Sequence, residues 1–543
     1  MSTVTVYQTF VETAERYPQH DFLHIPASAC QQYSDSAITL SYHQAMQAVD
    51  GLRSAYQRAG FGSGHRVALM LQNRPEFLLH WFALNALGCS VVPVNDEMAP
   101  QEQAYIVEHS ESILLVHLPD LADKVTALST QLTASIDTYC TTNGSPPTVS
   151  IGSDGETAGS DSECAILYTS GSTGKPKGCI LTNEYYLLSG RRYLELGGLC
   201  ALEPGVERLA TPLPLVHMNA MACSTLAMVM LGGCLIQLDR FHPQTWWQSI
   251  RESRASVVHY LGVMPAMLLS MDPLANNGDD FSEQIKFGFG AGVNPKHHAA
   301  FEHRFGFPLV EGWAMTETGC NGAIMANQEP RHVGTCCFGL APAHLELRLI
   351  DETGVDVASG EPGELLLRHV GEHPQRGFFS GYLKNPEATE EVWQGGWFHT
   401  GDVVRRDESD ALYFVDRRKN VIRRSGENIS ALEVEAALAS NPAINMAVVC
   451  PVPDEVRGDE VMACVIPAPD TTADQQSAER IVQAALASLV YFKVPGYVAF
   501  MDSLPLTASE KPKRGDIKTL ARSLLENGQC FDTRHLKKRR KSA

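Results

Sequence analysis

Between Leu167 and Gly178 the chain reads LYTSGSTGKPKG, and this stretch limits what the rest can become. The apolar run from Ala165 through Tyr168 predicts a strand, which the glycines, the proline and the alternating hydroxyls after it cannot continue. A loop must follow. Gly171, Gly174 and Gly178 let backbone approach a ligand closely. Thr169, Ser170, Ser172 and Thr173 supply hydroxyls, and Lys175 and Lys177 supply positive charge. That inventory suits a polyphosphate. A solvated Gly/Ser loop is the plain alternative; against it stand two lysines flanking Pro176 and the buried-looking strand before them. The Walker A pattern is not met, because Lys175 is followed by proline rather than by Ser or Thr, which disfavours a P-loop kinase or ATPase.

Around this loop the chain alternates strand and helix. An amphipathic helix is predicted over Tyr42 to Arg58, ending at Gly60, followed by a strand from Arg66 to Leu71, a helix from Glu76 to Ala86 and a strand from Ser90 to Val94. Further strands are predicted at Ile113 to His117, Val257 to Leu261 and Lys286 to Gly290. The pattern implies an α/β fold of parallel, helix-covered sheets, with ligands at the carboxyl ends of the strands. Residues 141–162 carry almost no hydrophobes and read as a surface linker. From Ala343 to Arg368 short alternating runs predict an antiparallel, β-rich subdomain. A strand at Ala411 to Val415, a helix at Ser430 to Ser440, a strand at Ala447 to Cys450 and a helix at Ala478 to Val490 point to a small α+β domain. We therefore divide the chain into 1–416, a mobile C-terminal domain at 417–525 and a basic, solvated tail at 526–543.

Composition narrows the function. At 543 residues the chain exceeds one core, and 44% hydrophobic with 19% charged residues describes an ordinary globular protein. A formal charge of −19 argues against general nucleic-acid binding. Fourteen cysteines without a CxxC pair make neither a disulfide framework nor a zinc site, so reduced, mostly buried thiols are expected. The N-terminus lacks a basic start followed by an apolar core, and a cytoplasmic location is expected. Ala220 to Leu238 carries no charge, but Gly232 and Gly233 divide it, so a buried helix and a core strand are predicted rather than a membrane span.

Further motifs carry chemistry. In Glu311 to Gly319, EGWAMTETG, a flat aromatic stands beside a hydroxyl and a carboxylate: Trp313 can stack on a base, Thr316 can bond a phosphate oxygen and Glu317 can hold Mg²⁺. Asp402, just after a glycine turn, can accept both hydroxyls of a ribose. Gly288 to Gly292 is a glycine-relaxed strand end.

Taken together with these motifs, TSGSTGKPKG resembles the phosphate-binding signature of the adenylate-forming superfamily, which includes acyl-CoA synthetases, luciferases and peptide-synthetase adenylation domains. The resemblance runs from about residue 10 to about residue 520, with the motifs in order. It implies that ATP and Mg²⁺ are held by residues 169–175 and Lys177, with Thr169 and Glu317 on the metal, and that Gly290, Ala291 and Gly292 touch adenine and substrate. It further implies that Arg417 joins Asp402 at the ribose or α-phosphate and that Lys419 is the hinge. Lys511 would bridge the substrate carboxylate and the α-phosphate, and Gly426 would line the pantetheine tunnel. His217 becomes the gate of an acyl tunnel, and Asn219, His259, Tyr260, Met264 and Ala314 line the acid pocket. Three departures stand out: Trp313 replaces the usual Tyr, Ala314 a Gly, and Glu510 and Pro512 flank Lys511, leaving Lys513 as a weaker candidate.

WFALNALGCSVVPVN, DEVRGDE and YFKVP look most like the crotonobetaine/carnitine CoA ligase branch. The implied activity is ATP-dependent, AMP-forming ligation of a carboxylic acid to coenzyme A through an acyl-adenylate, with a short, cyclic or functionalised acid expected. An adenylating enzyme that serves a carrier protein and a non-catalytic nucleotide-binding regulator are the rivals. No stable membrane insertion is expected, and the oligomeric state stays open, a homodimer being one option.

Overall fold

A computed structural model describes residues 4–169, 176–273, 278–424, 427–454, 457–507 and 511–537. The chain groups into two compact units: residues 1–347, 367–398 and 410–412 in one, and 348–366, 399–409 and 413–543 in the other.

Among its described residues the large unit holds two sheets. One orders the strands Ile324–Met325, Leu309–Trp313, Phe287–Ala291, Val257–Leu261, Arg208–Thr211, Cys234–Gln237, Asp21–Ile25 and Ile38–Ser41. Its inner pairings are parallel and its two edges antiparallel. The other runs Gly381–Tyr382, Lys177–Thr182, Glu163–Thr169, Ser90–Pro93, Arg66–Met70, Leu114–His117 and Asp137–Cys140. Here the structure refines the expectation of wholly parallel sheets. Glu163–Thr169 is parallel to Ser90–Pro93 but antiparallel to Lys177–Thr182. The seven residues between Thr169 and Lys177 are too few for the crossover that a parallel partner needs.

Local sequence explains the helices that cover these sheets. Thr5 and Ser41 close capping boxes with Gln8 and Gln44 at the starts of Val6–Arg16 and Tyr42–Arg58. The first of these helices buries Phe10, whose ring stacks on Phe82 at 4.7 Å. The uncharged run after His217 becomes a π-helix, Asn219–Ser224, then an α-helix, Thr225–Leu231, then the buried strand Cys234–Gln237, the helix-and-strand order predicted. No helix among the described residues is long and apolar enough to cross a membrane. Every cysteine is a free thiol, and only Cys140, Cys336 and Cys530 are not fully buried.

In the small unit a sheet orders Glu427–Ile429, Ile422–Arg424, Gly458–Pro467, Tyr497–Phe500 and Phe531–Asp532, with Ile444–Asp454 also paired to Gly458–Pro467. The helices Ala431–Leu438, Gln475–Ala485 and Arg514–Glu526 cover it. Residues 526–537 differ from the solvated tail expected over 526–543, and the rest of that stretch lies outside the described residues. Phe531–Asp532 pairs with Tyr497–Phe500, Leu536 packs against the apolar core, and Lys537 is buried against Glu460. The ion pair spans 77 residues of sequence, so a run of basic residues read locally gives no sign of it.

Candidate active site

Parallel strands expose their carboxyl ends on one edge of a sheet, and there the large unit places most of its candidate residues. The strands ending at Leu261, Ala291 and Trp313 carry His259 and Tyr260, Gly290 and Ala291, and Glu311 and Trp313. They approach closely: a Cβ on Gly262 would lie 1.8 Å from the carbonyl oxygen of Gly292, so the turn after Leu261 tolerates no side chain there. Gly292 adopts φ +79° and donates its N–H to Glu311 Oε2 at 2.9 Å, while Val293 N–H donates to Oε1 at 3.0 Å. Tyr260 donates its O–H to the same Oε1 at 3.2 Å. Burial pushes the Glu311 carboxyl up, opposed by the two backbone donors. Sequence reading gave Glu311 no role; only the folded turn reveals that it fixes the Gly290–Gly292 end.

Next to this edge, Trp313 is 6% exposed and its ring lies 6.3 Å from that of Phe338. Ala314 is exposed and Thr316 half-buried. The Thr316 carbonyl accepts the Tyr185 O–H at 2.7 Å, which ties this turn to the helix Asn183–Leu194.

Thr169 stands opposite Lys177 in the paired strands that flank residues 170–176. The Lys177 ammonium lies 4.6 Å from the centroid of the Tyr382 ring. Tyr382 donates its O–H to Glu317 Oε1 at 2.8 Å, and Glu317 is 6% exposed. Burial first and the Glu317 charge second push the Tyr382 phenol up, so it remains a donor. Tyr382 was missed in the sequence; a tyrosine in GYLKNP carries no local mark of a partner 65 residues away. Ser170, Gly171, Ser172, Thr173, Gly174 and Lys175 lie outside the described residues.

The acid-pocket candidates divide. His217 is exposed and Asn219 half-buried, whereas His259, Tyr260 and Met264 are buried. Asn73 holds the approach to His217 by accepting Leu215 N–H and donating to the Leu213 and Leu238 carbonyls. His259 exchanges hydrogen bonds with Asn219, Ser224 and Tyr193, and burial pulls its imidazole down to about 3, so it is neutral. Tyr260 and Met264 line a small void among Trp246, Trp247, Leu268 and Phe301, an aromatic setting that offers little to a polar acid.

In the small unit, Asp402 is 3% exposed, with Arg417 Nε 3.3 Å from its Oδ1. Asp416, fully buried, accepts the Ser430 O–H and the Arg417 and Leu432 N–H groups, fixing the chain on either side of the short turn Arg418–Asn420 that contains Lys419. Thr507 and Lys511 pin each other: Thr507 N–H donates to the Lys511 carbonyl at 2.7 Å and Lys511 N–H to Thr507 Oγ1 at 3.1 Å. The exposed Lys511 is crowded by neighbouring chain, and this desolvation, then the Arg417 guanidinium, hold its ammonium below the usual lysine range. Lys513 instead donates its N–H to the Pro505 carbonyl where the helix Arg514–Glu526 starts. Gly426 lies outside the described residues.

Comparison with known proteins follows the same two parts. Residues 10–383 match the AMP-binding enzyme family and residues 433–511 the AMP-binding enzyme C-terminal domain. A crotonobetaine/carnitine–CoA ligase of Escherichia coli is 28% identical over 514 residues, covering 91% of this chain and 96% of its own. Two solved structures share the fold. The o-succinylbenzoate CoA synthetase of Bacillus subtilis with its acyl-adenylate intermediate has a TM-score of 0.79 at 23% identity, covering 95% of this chain and 98% of its own. ATP-bound MatB from Rhodopseudomonas palustris has a TM-score of 0.78 at 21% identity, covering 96% and 100%.

Proposed function

We propose that this chain, which belongs to the AMP-binding enzyme family, activates a short, cyclic or functionalised carboxylic acid as the acyl-adenylate and passes the acyl group to coenzyme A as an AMP-forming acyl-CoA synthetase. The observation that carries this reading is the meeting of Lys177 and Glu317 at Tyr382, with Thr169 opposite Lys177 in the paired strands. A cation, a hydroxyl and a buried carboxylate there suit a metal-bound polyphosphate. The donor set fits Mg²⁺, a hard cation that characteristically takes one or two carboxylates together with waters and substrate phosphates, because Glu317 supplies a buried carboxylate and Thr169 a hydroxyl. Thr169 and Glu317 would hold it, and it would neutralise charge on the phosphates.

In the first half-reaction a substrate carboxylate oxygen attacks the α-phosphorus of ATP and pyrophosphate departs. Lys511 and Lys175 offset the negative charge that develops there, and Thr316 donates to a phosphate oxygen. Asp402, with Arg417, accepts the ribose hydroxyls, and Trp313 and Gly290–Gly292 bound the adenine side. In the second, the CoA thiolate attacks the acyl carbon and AMP leaves. No protein nucleophile is needed. Lys419 is the hinge between adenylation and thioester formation, Gly426 faces the pantetheine, and His217 gates the acyl path. The similarity to crotonobetaine/carnitine–CoA ligase favours a small polar acid.

The test is pyrophosphate release across a panel of carboxylic acids with ATP and Mg²⁺, with and without CoA. Turnover dependent on both an acid and CoA is expected. Release that ignores CoA would instead indicate transfer to a carrier protein, and preference for palmitate over short acids would overturn the pocket assignment.

A further inference from the structure

The π-helix Asn219–Ser224 follows directly on His217, and a π-turn inside helical chain marks functional sites often enough to merit an explanation. Its partner is His259, fully buried on the strand Val257–Leu261, with Nδ1 2.9 Å from Ser224 Oγ and 3.0 Å from Asn219 Oδ1, and Nε2 2.7 Å from the Tyr193 hydroxyl. Satisfying every donor fixes the direction of each bond. Ser224 donates its own O–H to the Asn219 carbonyl at 3.1 Å, so toward His259 it can only accept. The neutral imidazole must therefore carry its proton on Nδ1, shared between Ser224 Oγ and Asn219 Oδ1. Nε2 is left to accept the Tyr193 O–H, the donor that reaches it among the described residues. Desolvation pushes the Tyr193 phenol well up, which keeps that proton in place. With Oδ1 committed to the histidine, the amide of Asn219 cannot flip, and its Nδ2 has no protein partner among the described residues on a side chain that is only half-buried.

We propose that Asn219, keyed by the buried Tyr193–His259–Ser224 network, is a specificity-determining residue that presents an N–H donor to an acid bearing a hydrogen-bond acceptor, such as a hydroxyl, oxo or second carboxylate oxygen, along its acyl chain. The inference rests on the acyl-CoA ligase reading and sharpens its substrate class. A plain alkanoic acid buries that donor unmet, whereas an acceptor-bearing acid satisfies it. Because the group lies away from the reacting carboxylate, its contribution is to KM rather than to kcat.

The experiment measures kcat and KM for pyrophosphate release with short straight-chain acids, each paired with its hydroxy and oxo derivatives, in wild type, Asn219→Leu, Asn219→Asp and Tyr193→Phe. In wild type the best acceptor-bearing acid is favoured over its parent by about five- to ten-fold in kcat/KM, the range of one neutral hydrogen bond. Asn219→Leu abolishes or reverses that ratio, mainly through KM, and Asn219→Asp, which replaces the donor by an acceptor, does the same. Tyr193→Phe, which lets the histidine change tautomer, lowers it in part. A loss of folded enzyme would lower kcat for both members of a pair and leave the ratio alone. A ratio unchanged in both Asn219 variants, or a wild type that favours every parent acid, overturns the inference while the ligase reading stands. A wild type that binds ATP in calorimetry yet releases no pyrophosphate with any acid overturns both.

Discussion

The large unit holds its candidate residues with hydrogen bonds among buried groups: the neutral His259 by Tyr193 and Ser224, and the Tyr382 hydroxyl on the Glu317 carboxylate. The small unit carries its key cation, Lys511, on an exposed loop and braces itself with buried charge instead, Arg424 and Lys537 both meeting Glu460. A buried hydrogen-bond network fixes direction, because every donor must find its acceptor within the network. A buried ion cluster tolerates no missing partner. The large unit therefore orients its buried donors one by one, whereas the small unit depends on every member of its charge cluster.

The largest effect should come from breaking the charge cluster. Glu460 is fully buried, accepts Arg424 Nε at 2.9 Å on both oxygens and also receives Lys537, so Glu460→Ala leaves two buried cations uncompensated. We expect a loss of about 3–5 kcal/mol in the small unit, read as an early separate transition in urea. An unchanged unfolding profile would mean that the cluster is not what braces this unit. Next, Lys511→Ala should lower adenylation by about 10²–10³-fold with little change in stability, since the side chain is exposed. Loss confined to thioester formation would instead place Lys511 in the second step.

The neutral networks should show themselves in acid. His259 titrates at about 3 and His80, bonded to the Tyr56 hydroxyl at 2.7 Å, at about 4. Both are depressed by burial below the ordinary value of about 6.5. The unfolded chain then takes up protons first as pH falls, so the stability these groups leave intact above about pH 6.5 is lost on going from there toward 4 and 3. The slope should approach about 1.4 kcal/mol per pH unit for each histidine, measurable as a falling urea midpoint of the large unit between pH 7 and 5. A flat midpoint would show that the imidazoles are not buried neutral. The smallest effect belongs to Tyr382→Phe, which removes one hydrogen bond to Glu317: about 1 kcal/mol, read as a higher Mg²⁺ requirement for pyrophosphate release, while kcat at saturating Mg²⁺ changes little.

Much of this was legible in the sequence because it is local. The helix Tyr42–Arg58, the strand Val257–Leu261 and the break of the uncharged run at Gly232 and Gly233 follow from periodicity and capping within a few residues. The motif residues Thr169, Thr316, Glu317, Asp402 and Lys511 were legible as residue types in recognisable strings. What holds them was not: Tyr382 reaches Glu317 across 65 residues, Tyr193 reaches His259 across 66, and Lys537 reaches Glu460 across 77. His259, Tyr260 and Met264 were read alike as pocket residues, yet one belongs to a polar network and two face an aromatic void. Strand alternation places successive side chains on opposite faces, and which face meets the ligand depends on sheet order.

By itself, then, the sequence determined the alternation of strands and helices and the class of chemistry, because these depend on the order and spacing of residues along the chain. Only the tertiary structure decided that Glu163–Thr169 has one parallel and one antiparallel neighbour, that residues 531–537 are built into the small unit, and that Asn219 Oδ1 meets His259 Nδ1. Each of these is a pairing between distant segments, settled when buried polar groups must find partners that no local stretch can supply.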